Sequence, residues 1–561
     1  MRLGFVTSAA ALVFAASALA QTPSIRSGND AVVNNASYLP AGLPNGSIAQ
    51  GSIFAIFGDN LGPASIEQQP AYPLQKTLAG TSVKVTVGGT TVDAIPIYTT
   101  KTQVGAVLPS NTPTGSGQVT VTYNNQTSAS HAITVVPSSF GIFTLNQQGS
   151  GPAVITDANY NVITLTNSAK PNQTIIIWGT GLGGVTGDET ASPKPADLTN
   201  IPVRVTIGDQ TAPLVYRGRS GCCSGLDQVM VTVPNVSGCY ESLIVRINDV
   251  VSNVTTIPVA ANGGACSDPN GFSATDLTNW IKKGSVSFGY VGVGQSTTSS
   301  PGISVGGITL PGQTTTSDDA TAMFVKYDAT QLVSSQGLFR QASIGSCIVN
   351  TYSGASGQRV DPVRPTYLDA GAITLTPPSG SAITLNRDAQ FGFYSVPTNG
   401  NGQSAPFFGN GGQFKFAGAG GPTVGSFNTD VTITNPLKWT NMDAITDVTR
   451  GNGQLITWSG GADGTYVVIS GSSMYLQGSN ASNAVVVSFS CTARADAHQF
   501  MIPAEVLYAL PPSSSSVGGV SIPTGSLSVS NDTNPKSFSA TGLDVAYTYG
   551  YVSAGKSVNY K

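Results

Sequence analysis

The strongest constraint on the fold is an internal repeat of about 120 residues in the N-terminal half of the chain. Four blocks occur twice in the same order: residues 57–62 (FGDNLG) return as 178–183 (WGTGLG), 83–88 (VKVTVG) as 203–208 (VRVTIG), 103–109 (QVGAVLP) as 228–234 (QVMVTVP), and 119–124 (VTVTYN) as 243–248 (LIVRIN). The second copy carries an insertion at residues 219–223. Chance does not preserve four blocks in one order, so one structural unit is present twice.

Each block is typical of a β-strand that ends at a Gly-rich or Pro-containing turn. Only 9% of the residues are charged, against about 25% in an average soluble domain, which disfavours long salt-bridged helices. Short alternating strands in copies of this length predict an all-β protein, with two immunoglobulin-like β-sandwiches in tandem. We expect the glycines of the first block, 57–62 and its copy 178–183, to allow positive φ at a tight bend. A phosphate-binding loop is excluded because no helical pattern follows Gly62 or Gly183.

Several motifs resemble an uncharacterised family of secreted proteins that is abundant in acidobacteria. Members of that family carry paired IPT/TIG-type immunoglobulin-like domains, and the resemblance covers roughly residues 30–260. The motifs are 33–38 (VNNASY), 49–53 (AQGSI), 56–61 (IFGDNL), 78–83 (LAGTSV), 94–98 (AIPIY), 109–115 (PSNTPTG) and 179–183 (GTGLG). The resemblance implies two IPT/TIG-like sandwiches and no established activity.

The N-terminus has the pattern of a secretory signal peptide over residues 1–20, with an Ala-x-Ala cleavage site before Gln21. We expect a first sandwich over 21–137, a second over 138–262, and a β-rich C-terminal domain over 267–561 that one interpretation divides near residue 365. A capping-box pattern at Ser273 and Asp276 predicts a short helix over 274–283. Short strands are predicted after it, at 372–376, 382–386, 429–434, 455–458, 465–470 and 484–491.

The six cysteines fit an oxidising compartment. Four lie close together, at Cys222, Cys223, Cys239 and Cys266, and Cys347 and Cys491 stand apart, which indicates two bridges in one domain and one in the other. Because adjacent cysteines rarely bridge each other, we expect Cys222 and Cys223 to pair with Cys239 and Cys266, in either arrangement. The cysteines lack the spacing of a zinc site, and no metal or other cofactor is expected.

Candidate catalytic groups are few, and each has an ordinary structural explanation. His131 and His498 are expected at the surface, and the Asp318–Asp319 pair in a solvated turn. Glutamates that could support glycoside hydrolysis are expected in loops or turns, at Glu67, Glu189, Glu241 and Glu505. Residues 157–161 (DANYN) have part of a calcium-loop spacing but lack its later ligands, so an Asx-rich hairpin turn is favoured and calcium binding elsewhere stays open.

Aromatic side chains that stack on sugar faces are the remaining candidates for a ligand site. The predicted ligand-binding residues are Trp439, Trp458, Phe407, Phe408 and Tyr475, and the Gly- and Asn-rich loop over 399–412 is predicted to be the best exposed patch.

These patterns favour an exported, non-catalytic binding, adhesion or cell-envelope protein whose partner is an extracellular protein or a glycan. The formal net charge of -3 argues against nucleic acid. The expected location is secreted or at the cell surface, without membrane insertion after signal cleavage. The alternative is a carbohydrate-active enzyme or its carbohydrate-binding accessory module, with the site in 285–561.

Overall fold

The structure is a computed structural model that describes residues 21–268, 271–300, 302–305, 308–328, 342–353, 365–399, 403–434, 436–476, 484–517 and 520–561. The predicted signal peptide, residues 1–20, lies outside the described residues.

The first repeat unit forms a β-sandwich of twelve strands. They are β1 (Ser24–Ile25), β2 (Val32–Asn34), β3 (Ile48–Ala49), β4 (Ile53–Asp59), β5 (Glu67–Gln68), β6 (Thr77–Leu78), β7 (Thr81–Val87), β8 (Thr90–Thr99), β9 (Gln103–Val107), β10 (Gly115–Tyr123), β11 (Gln126–Thr127) and β12 (His131–Val136). Along β7 the side chains of Val83, Val85 and Val87 are buried while Lys84 is exposed, which is the period of a strand with one face on a core.

The second repeat unit forms two six-stranded sheets around its own hydrophobic cluster. The strands are β13 (Gly141–Ile142), β14 (Gly151–Pro152), β15 (Ile155–Asp157), β16 (Thr174–Thr180), β17 (Ala196–Asp197), β18 (Val203–Ile207), β19 (Gln210–Ala212), β20 (Leu214–Arg219), β21 (Asp227–Thr232), β22 (Gly238–Ile247), β23 (Val250–Val251) and β24 (Thr255–Val259).

The two units share one topology. In the first unit β4 pairs with β9, β7 pairs with β8 and β10, and β10 pairs with β12. The equivalent strands of the second unit make the same pairs, β16 with β21, β18 with β19 and β22, and β22 with β24. Strand β8 runs continuously from one sheet to the other, whereas in the second unit Pro213 lies between β19 and β20. The predicted tandem sandwich fold is confirmed.

The remaining chain is again dominated by strands. They are β25 (Ser285–Ser300), β26 (Ile303–Val305), β27 (Ile308–Leu310), β28 (Gln313–Asp328), β29 (Cys347–Ser353), β30 (Thr366–Tyr367), β31 (Ile373–Thr376), β32 (Ile383–Arg387), β33 (Tyr394–Ser395), β34 (Gly412–Gly418), β35 (Phe427–Ile433), β36 (Lys438–Trp439), β37 (Asp447–Val448), β38 (Gln454–Ser459), β39 (Tyr466–Leu476), β40 (Ala484–Arg494), β41 (Gln499–Ile502), β42 (Ser514–Val517), β43 (Val520–Pro523), β44 (Gly525–Asp532), β45 (Lys536–Ser537) and β46 (Val545–Tyr560). Helix α1 spans Ala274–Lys283 and α2 spans Ala504–Tyr508, and short 3-10 turns cover Arg450–Asn452 and Ala495–Ala497.

Most of these C-terminal strands belong to one fifteen-stranded sheet. The division considered near residue 365 falls beside the undescribed residues 354–364, and strands from both sides of it share this sheet. Helix α1 begins and ends where the sequence predicts, with Ser273 and Asp276 forming the capping box. The core of this region also takes in Leu39 and Leu43 from the first unit and Ile244 from the second.

The disulfides agree with the sequence in part. Cys347 bridges Cys491, which joins β29 to β40. Cys239 bridges Cys266, and Cys222 bridges its neighbour Cys223, so the expected pairing of Cys222 and Cys223 with the other two is wrong. The physical reason is that these cysteines lie in different parts of the fold. Cys239 lies on β22 against the start of the C-terminal region, whereas Cys222 and Cys223 lie in the exposed inserted loop after β20.

Candidate ligand-binding groove

A groove of about 840 Å³ is formed jointly by the two sandwiches. Its aromatic lining consists of Tyr38, Phe57, Tyr98, Phe143 and Trp178, and its amide lining of Asn35, Gln68, Gln103, Asn146, Gln147 and Gln148. Arg26 and Asp30 are the two charged residues of the lining, so its formal charge sums to zero. The groove therefore offers ring faces and uncharged hydrogen-bonding groups.

The internal repeat explains why both sandwiches contribute an aromatic ring. Phe57 and Trp178 occupy the same position in β4 and β16, and each is followed by a glycine. A Cβ on Gly58 would lie 2.0 Å from the carbonyl oxygen of Ser24, and one on Gly179 would lie 2.3 Å from that of Gly141. These glycines are needed because a short strand, β1 or β13, pairs closely at that point. The positive φ expected for the glycines of this block occurs in the second copy, at Gly181 and Gly183, and not at Gly58, Gly62 or Gly179.

Hydrogen bonds hold the wall that the first sandwich supplies. The Tyr98 hydroxyl donates to Asn35 Oδ1 at 2.8 Å and accepts from Gln103 Nε2 at 2.7 Å. Its ring lies over Gly105, where a Cβ would come within 2.1 Å of it. Burial raises the pKa of Tyr98, so the hydroxyl stays protonated and keeps donating.

Aromatic contacts shape both walls. On the first sandwich the Arg26 guanidinium lies 5.5 Å from the Phe57 ring centre, with Tyr38 6.3 Å from the same ring. On the second sandwich the indole N–H of Trp178 donates to Thr156 Oγ1 at 3.1 Å. The ring of Tyr160, a residue 64% exposed, lies 6.2 Å from Trp178. Trp178 therefore forms an aromatic platform in the groove, with the exposed Tyr160 beside it.

A buried ion pair fixes the junction beneath the groove. Arg219 Nε lies 3.1 Å from Asp227 Oδ1, and both side chains are almost fully buried. Arg219 donates across the junction to the carbonyl oxygen of Gly51 at 2.8 Å. Asp227 Oδ2 accepts from the backbone N–H groups of Gly181 and Leu182. A charge network with this many partners holds the two sandwiches in one arrangement.

A second clamp closes the other side of the junction. Glu189 accepts from the backbone N–H and the hydroxyl of Ser110, both at 2.7 Å. Thr180 Oγ1 donates to the carbonyl oxygen of Gly225 and accepts from the N–H of Ile53. The width of the groove is therefore set by bonds between the sandwiches and not by a loose linker.

The aromatic residues that the sequence singled out lie elsewhere, in hydrophobic cores. Trp439, Trp458, Phe407 and Phe408 are all less than 9% exposed. Trp458 donates its indole N–H to the carbonyl oxygen of Ala495, and Tyr475, half-buried, packs against Gly42. The prediction of an exposed stacking surface is wrong for Trp439, Trp458, Phe407 and Phe408, because burying these large apolar side chains in the core is favourable. For the half-buried Tyr475 it stays a prediction.

The predicted exposed loop over 399–412 is instead tied to the sheet in its described part. Asp318 lies on β28 and its Oδ2 accepts from the backbone N–H groups of Phe407 and Phe408, at 2.6 and 2.8 Å. The Phe408 ring stacks on Phe414 at 5.2 Å. Asp318 and Asp319 therefore belong to a strand, and the expected solvated turn is wrong.

The two histidines stand apart from each other. His131 begins β12, where burial lowers its pKa and the Asp30 carboxylate opposes that effect. His498 ends a 3-10 turn with φ 56°. Neither has a nucleophile or acid among its described hydrogen bonds.

The acidic candidates serve structural roles. Glu189 lies in a turn, as expected. Glu67 lies in the short exposed strand β5, Glu241 within β22 and Glu505 within α2, so the loop or turn placement expected for these three is wrong. Asp157 accepts from the N–H groups of Asn159 and Asn161, which confirms the Asx-rich hairpin turn. Within the described ranges, no three His, Cys, Asp or Glu side chains are grouped as metal ligands.

Sequence reasoning missed the groove residues because they become neighbours only when two domains pack together. One signal was present: an aromatic residue precedes Gly at the same place in both copies.

None of the described helices is long and apolar enough to cross a membrane.

Comparison with known proteins agrees with the fold. The IPT/TIG domain family matches residues 37–135, which lie within the first sandwich. No curated protein matches the chain. Among the solved structures that match is the plexin A4 extracellular region, at 14% identity over 44% of this chain and 19% of that chain, with a TM-score of 0.16. A tetra-tandem repeat from the extending region of a large adhesion protein matches at 12% identity over 96% of this chain and 99% of that chain, with a TM-score of 0.13. The Bacteroides ovatus mixed-linkage glucan locus protein SGBP-B, in complex with a heptasaccharide, matches at 12% identity over 48% of this chain and 65% of that chain, with a TM-score of 0.19. The chain spans about a fifth of the plexin region, and likeness at these scores carries no functional argument.

Proposed function

We propose that this protein is an exported, non-catalytic binding protein and that the groove between its sandwiches holds a neutral glycan. The observation that carries the proposal is the lining of the groove, where aromatic rings and amide side chains meet with no net charge. Sugar rings present apolar C–H faces and many hydroxyls, which match ring faces and amide groups respectively. The groove lies between the two sandwiches and not within residues 285–561, where a carbohydrate site was expected from the sequence.

The disulfides support export, since stable bridges form in oxidising compartments. The resemblance of the sequence to a secreted family and the leader-like residues 1–20 support the same location. A protein at the cell surface or outside the cell meets glycans directly, which fits the groove.

The enzyme alternative has less support from the arrangement of acids in the C-terminal sheet. Asp319 on β28 and Asp532 on β44 lie in one row across this sheet, and the two strands β25 and β46 separate them. Three strand spacings put their backbones about 14 Å apart, whereas glycosidase carboxyls lie about 5 to 10 Å apart. The Tyr551 hydroxyl also reaches into this row and donates to Asp319 at 3.2 Å.

A glycan array with the mature chain, residues 21–561, tests the proposal. We expect binding to neutral oligosaccharides, and we expect Trp178→Ala to weaken it about tenfold or more because the platform of the groove is lost. The matched control is Phe391→Ala, which removes an aromatic side chain 50% exposed in the C-terminal region. Absence of glycan binding, or equal binding by Trp178→Ala and wild type, contradicts the proposal.

A further inference from the structure

Each sandwich places a tyrosine against an aromatic ring that lines the groove. In the first sandwich the ring centre of Tyr38 lies 6.3 Å from that of Phe57, and the two ring planes are tilted by 41°. In the second sandwich the ring centre of Tyr160 lies 6.2 Å from that of Trp178, with a tilt of 38°. Because Phe57 and Trp178 occupy the same position in the repeat, the two sandwiches carry one aromatic pair twice.

The same local backbone holds both tyrosines. Tyr38 and Tyr160 have φ of 52° and 64°, a left-handed conformation that is uncommon for a bulky residue. Each follows an Asx turn, in which the side-chain oxygen of Asn34 or Asp157 accepts from the backbone N–H two residues later, at 2.8 Å in both turns. Strained backbone of this kind is concentrated at binding sites. Since it occurs in both copies, we attribute it to a role that the copies share.

Packing in a core does not account for the position of Tyr160. The residue is 64% exposed, whereas Trp178 beside it lines the groove. Single exposed rings are common on protein surfaces, but this one is fixed beside a groove ring by a hairpin that Asp157 holds with three hydrogen bonds. A ring on a rigid hairpin loses little freedom when it contacts a ligand, which lowers the cost of binding.

The two ring pairs differ in one neighbour. The N–H of Arg26 donates to the carbonyl oxygen of Phe57 at 2.9 Å, and the N–H of Phe143 donates to that of Trp178 at 3.0 Å, so Arg26 and Phe143 are equivalent residues of the two copies. Both line the groove. The buried ion pair and the clamp at the junction keep the sandwiches in one arrangement. The groove therefore presents two similar ring pairs at a fixed separation.

We propose that the groove binds a linear glycan of repeating sugar units at two related subsites, Tyr38 with Phe57 and Tyr160 with Trp178. This inference rests on the proposed glycan-binding function. Two copies of one ring pair match two copies of one sugar face, which a chain of repeating units presents. When one chain contacts both subsites, the second contact is intramolecular, so affinity increases without a new kind of interaction. The different neighbours of the two pairs, Arg26 and Phe143, give the bound chain a preferred direction.

Calorimetry on the mature chain with a length series is the test. The probes are linear oligosaccharides of the strongest neutral binder from the array, from the disaccharide to the octasaccharide. For wild type, we expect affinity to rise about tenfold or more once the chain is long enough to contact both subsites. Tyr160→Asn removes the ring and keeps the left-handed turn, because Asn tolerates positive φ, and it should lose most of this gain. Tyr160→Phe keeps the ring and should keep the gain.

Two further variants complete the design. Tyr38→Asn should lose the gain from the side of the first sandwich. Since Tyr38 is half-buried and Tyr160 is exposed, Tyr160→Asn decides the question even where Tyr38→Asn does not fold. The matched control is Tyr352→Asn, which removes a tyrosine 59% exposed in the C-terminal region and should leave the gain unchanged.

The outcomes separate this inference from the proposed function. If wild type binds glycans and Trp178→Ala weakens binding, but affinity does not change with chain length, the two subsites are refuted while the function stands. A gain with chain length that Tyr160→Asn retains in full refutes them as well. If wild type binds no glycan, the function and this inference both fall.

Discussion

Replacing Glu241 with glutamine should remove a pH dependence of folding stability that one buried carboxyl creates. Glu241 is 2% exposed on β22, where the second sandwich meets the C-terminal region. Its Oε2 accepts from the Ser346 hydroxyl at 2.6 Å, and Gly208 and Gly238 lie against its oxygens. No cation forms an ion pair with it in the described chain.

Burial raises the pKa of Glu241 from its ordinary value of 4.5 to about 7, and Ser346 offsets this only in part. A rise in the pKa of Glu241 from 4.5 to about 7 corresponds to a free energy of about 3 kcal/mol. Since the folded protein binds this proton more tightly than the unfolded chain, the free energy of unfolding falls as pH rises from about 4.5 to about 7, and this contribution is level above that range. Glutamine stays neutral and can still accept from Ser346.

The assay is urea unfolding of the mature chain between pH 4 and 8, followed by the fluorescence of its four tryptophans, of which Trp280 shares a hydrophobic cluster with Tyr240, the residue before Glu241. At each pH, the free energy of unfolding of wild type is subtracted from that of Glu241→Gln, which cancels the contribution of the other acids. The matched control is Glu67→Gln, which replaces an exposed glutamate. The variant should gain up to about 3 kcal/mol at pH 8 relative to pH 4. A difference that does not change with pH refutes the reasoning.

Three further predictions concern the junction and the repeat. Arg219→Met should lower the free energy of unfolding by about 3 to 5 kcal/mol, because it leaves Asp227 buried without its partner; an unchanged urea midpoint contradicts this. When the folded protein is treated with a dithiol and then with an alkylating agent, we expect Cys222 and Cys223 to be labelled, because they are exposed. The other four cysteines are at most 1% exposed and should stay bridged. Mass spectrometry that finds these four labelled equally would disprove the prediction. Gly179→Ala should cost about 1 to 3 kcal/mol, and Gly58→Ala a similar amount, because the same strand contact closes over both; a thermal melt in which only one of the two matters would contradict their equivalence.

The fold was predictable to the extent that local patterns carry it. Alternation along β7 indicates one buried face, and the capping pattern at Ser273 determines where α1 begins. These are nearest-neighbour properties, so a single sequence contains them. The twofold occurrence of the blocks added the topology, because two copies of one unit pair their strands alike.

The site was not predictable in the same way. Whether an aromatic faces solvent depends on what packs over the sheet, and nothing local to Trp458 shows that Ala495 and the 3-10 turn cover it. The rule that adjacent cysteines rarely bridge each other gave a wrong pairing for Cys222 and Cys223. Which cysteines can pair depends on which loops the fold brings together. The repeated pair of aromatic rings is visible only once the turns that hold the two tyrosines have positions.

The C-terminal region bears on the groove even though it does not line it. Residues 143–148 line the groove, and the same segment turns at Gly149, whose Cβ position is filled by the Ser37 backbone. Behind that turn Val349 and Ala509 of the C-terminal region close a small cavity that Gln148 also borders. A segment held on both sides loses little freedom when a ligand arrives, and preorganisation of this kind lowers the cost of binding. The third region therefore fixes the wall of the groove that the two repeats build.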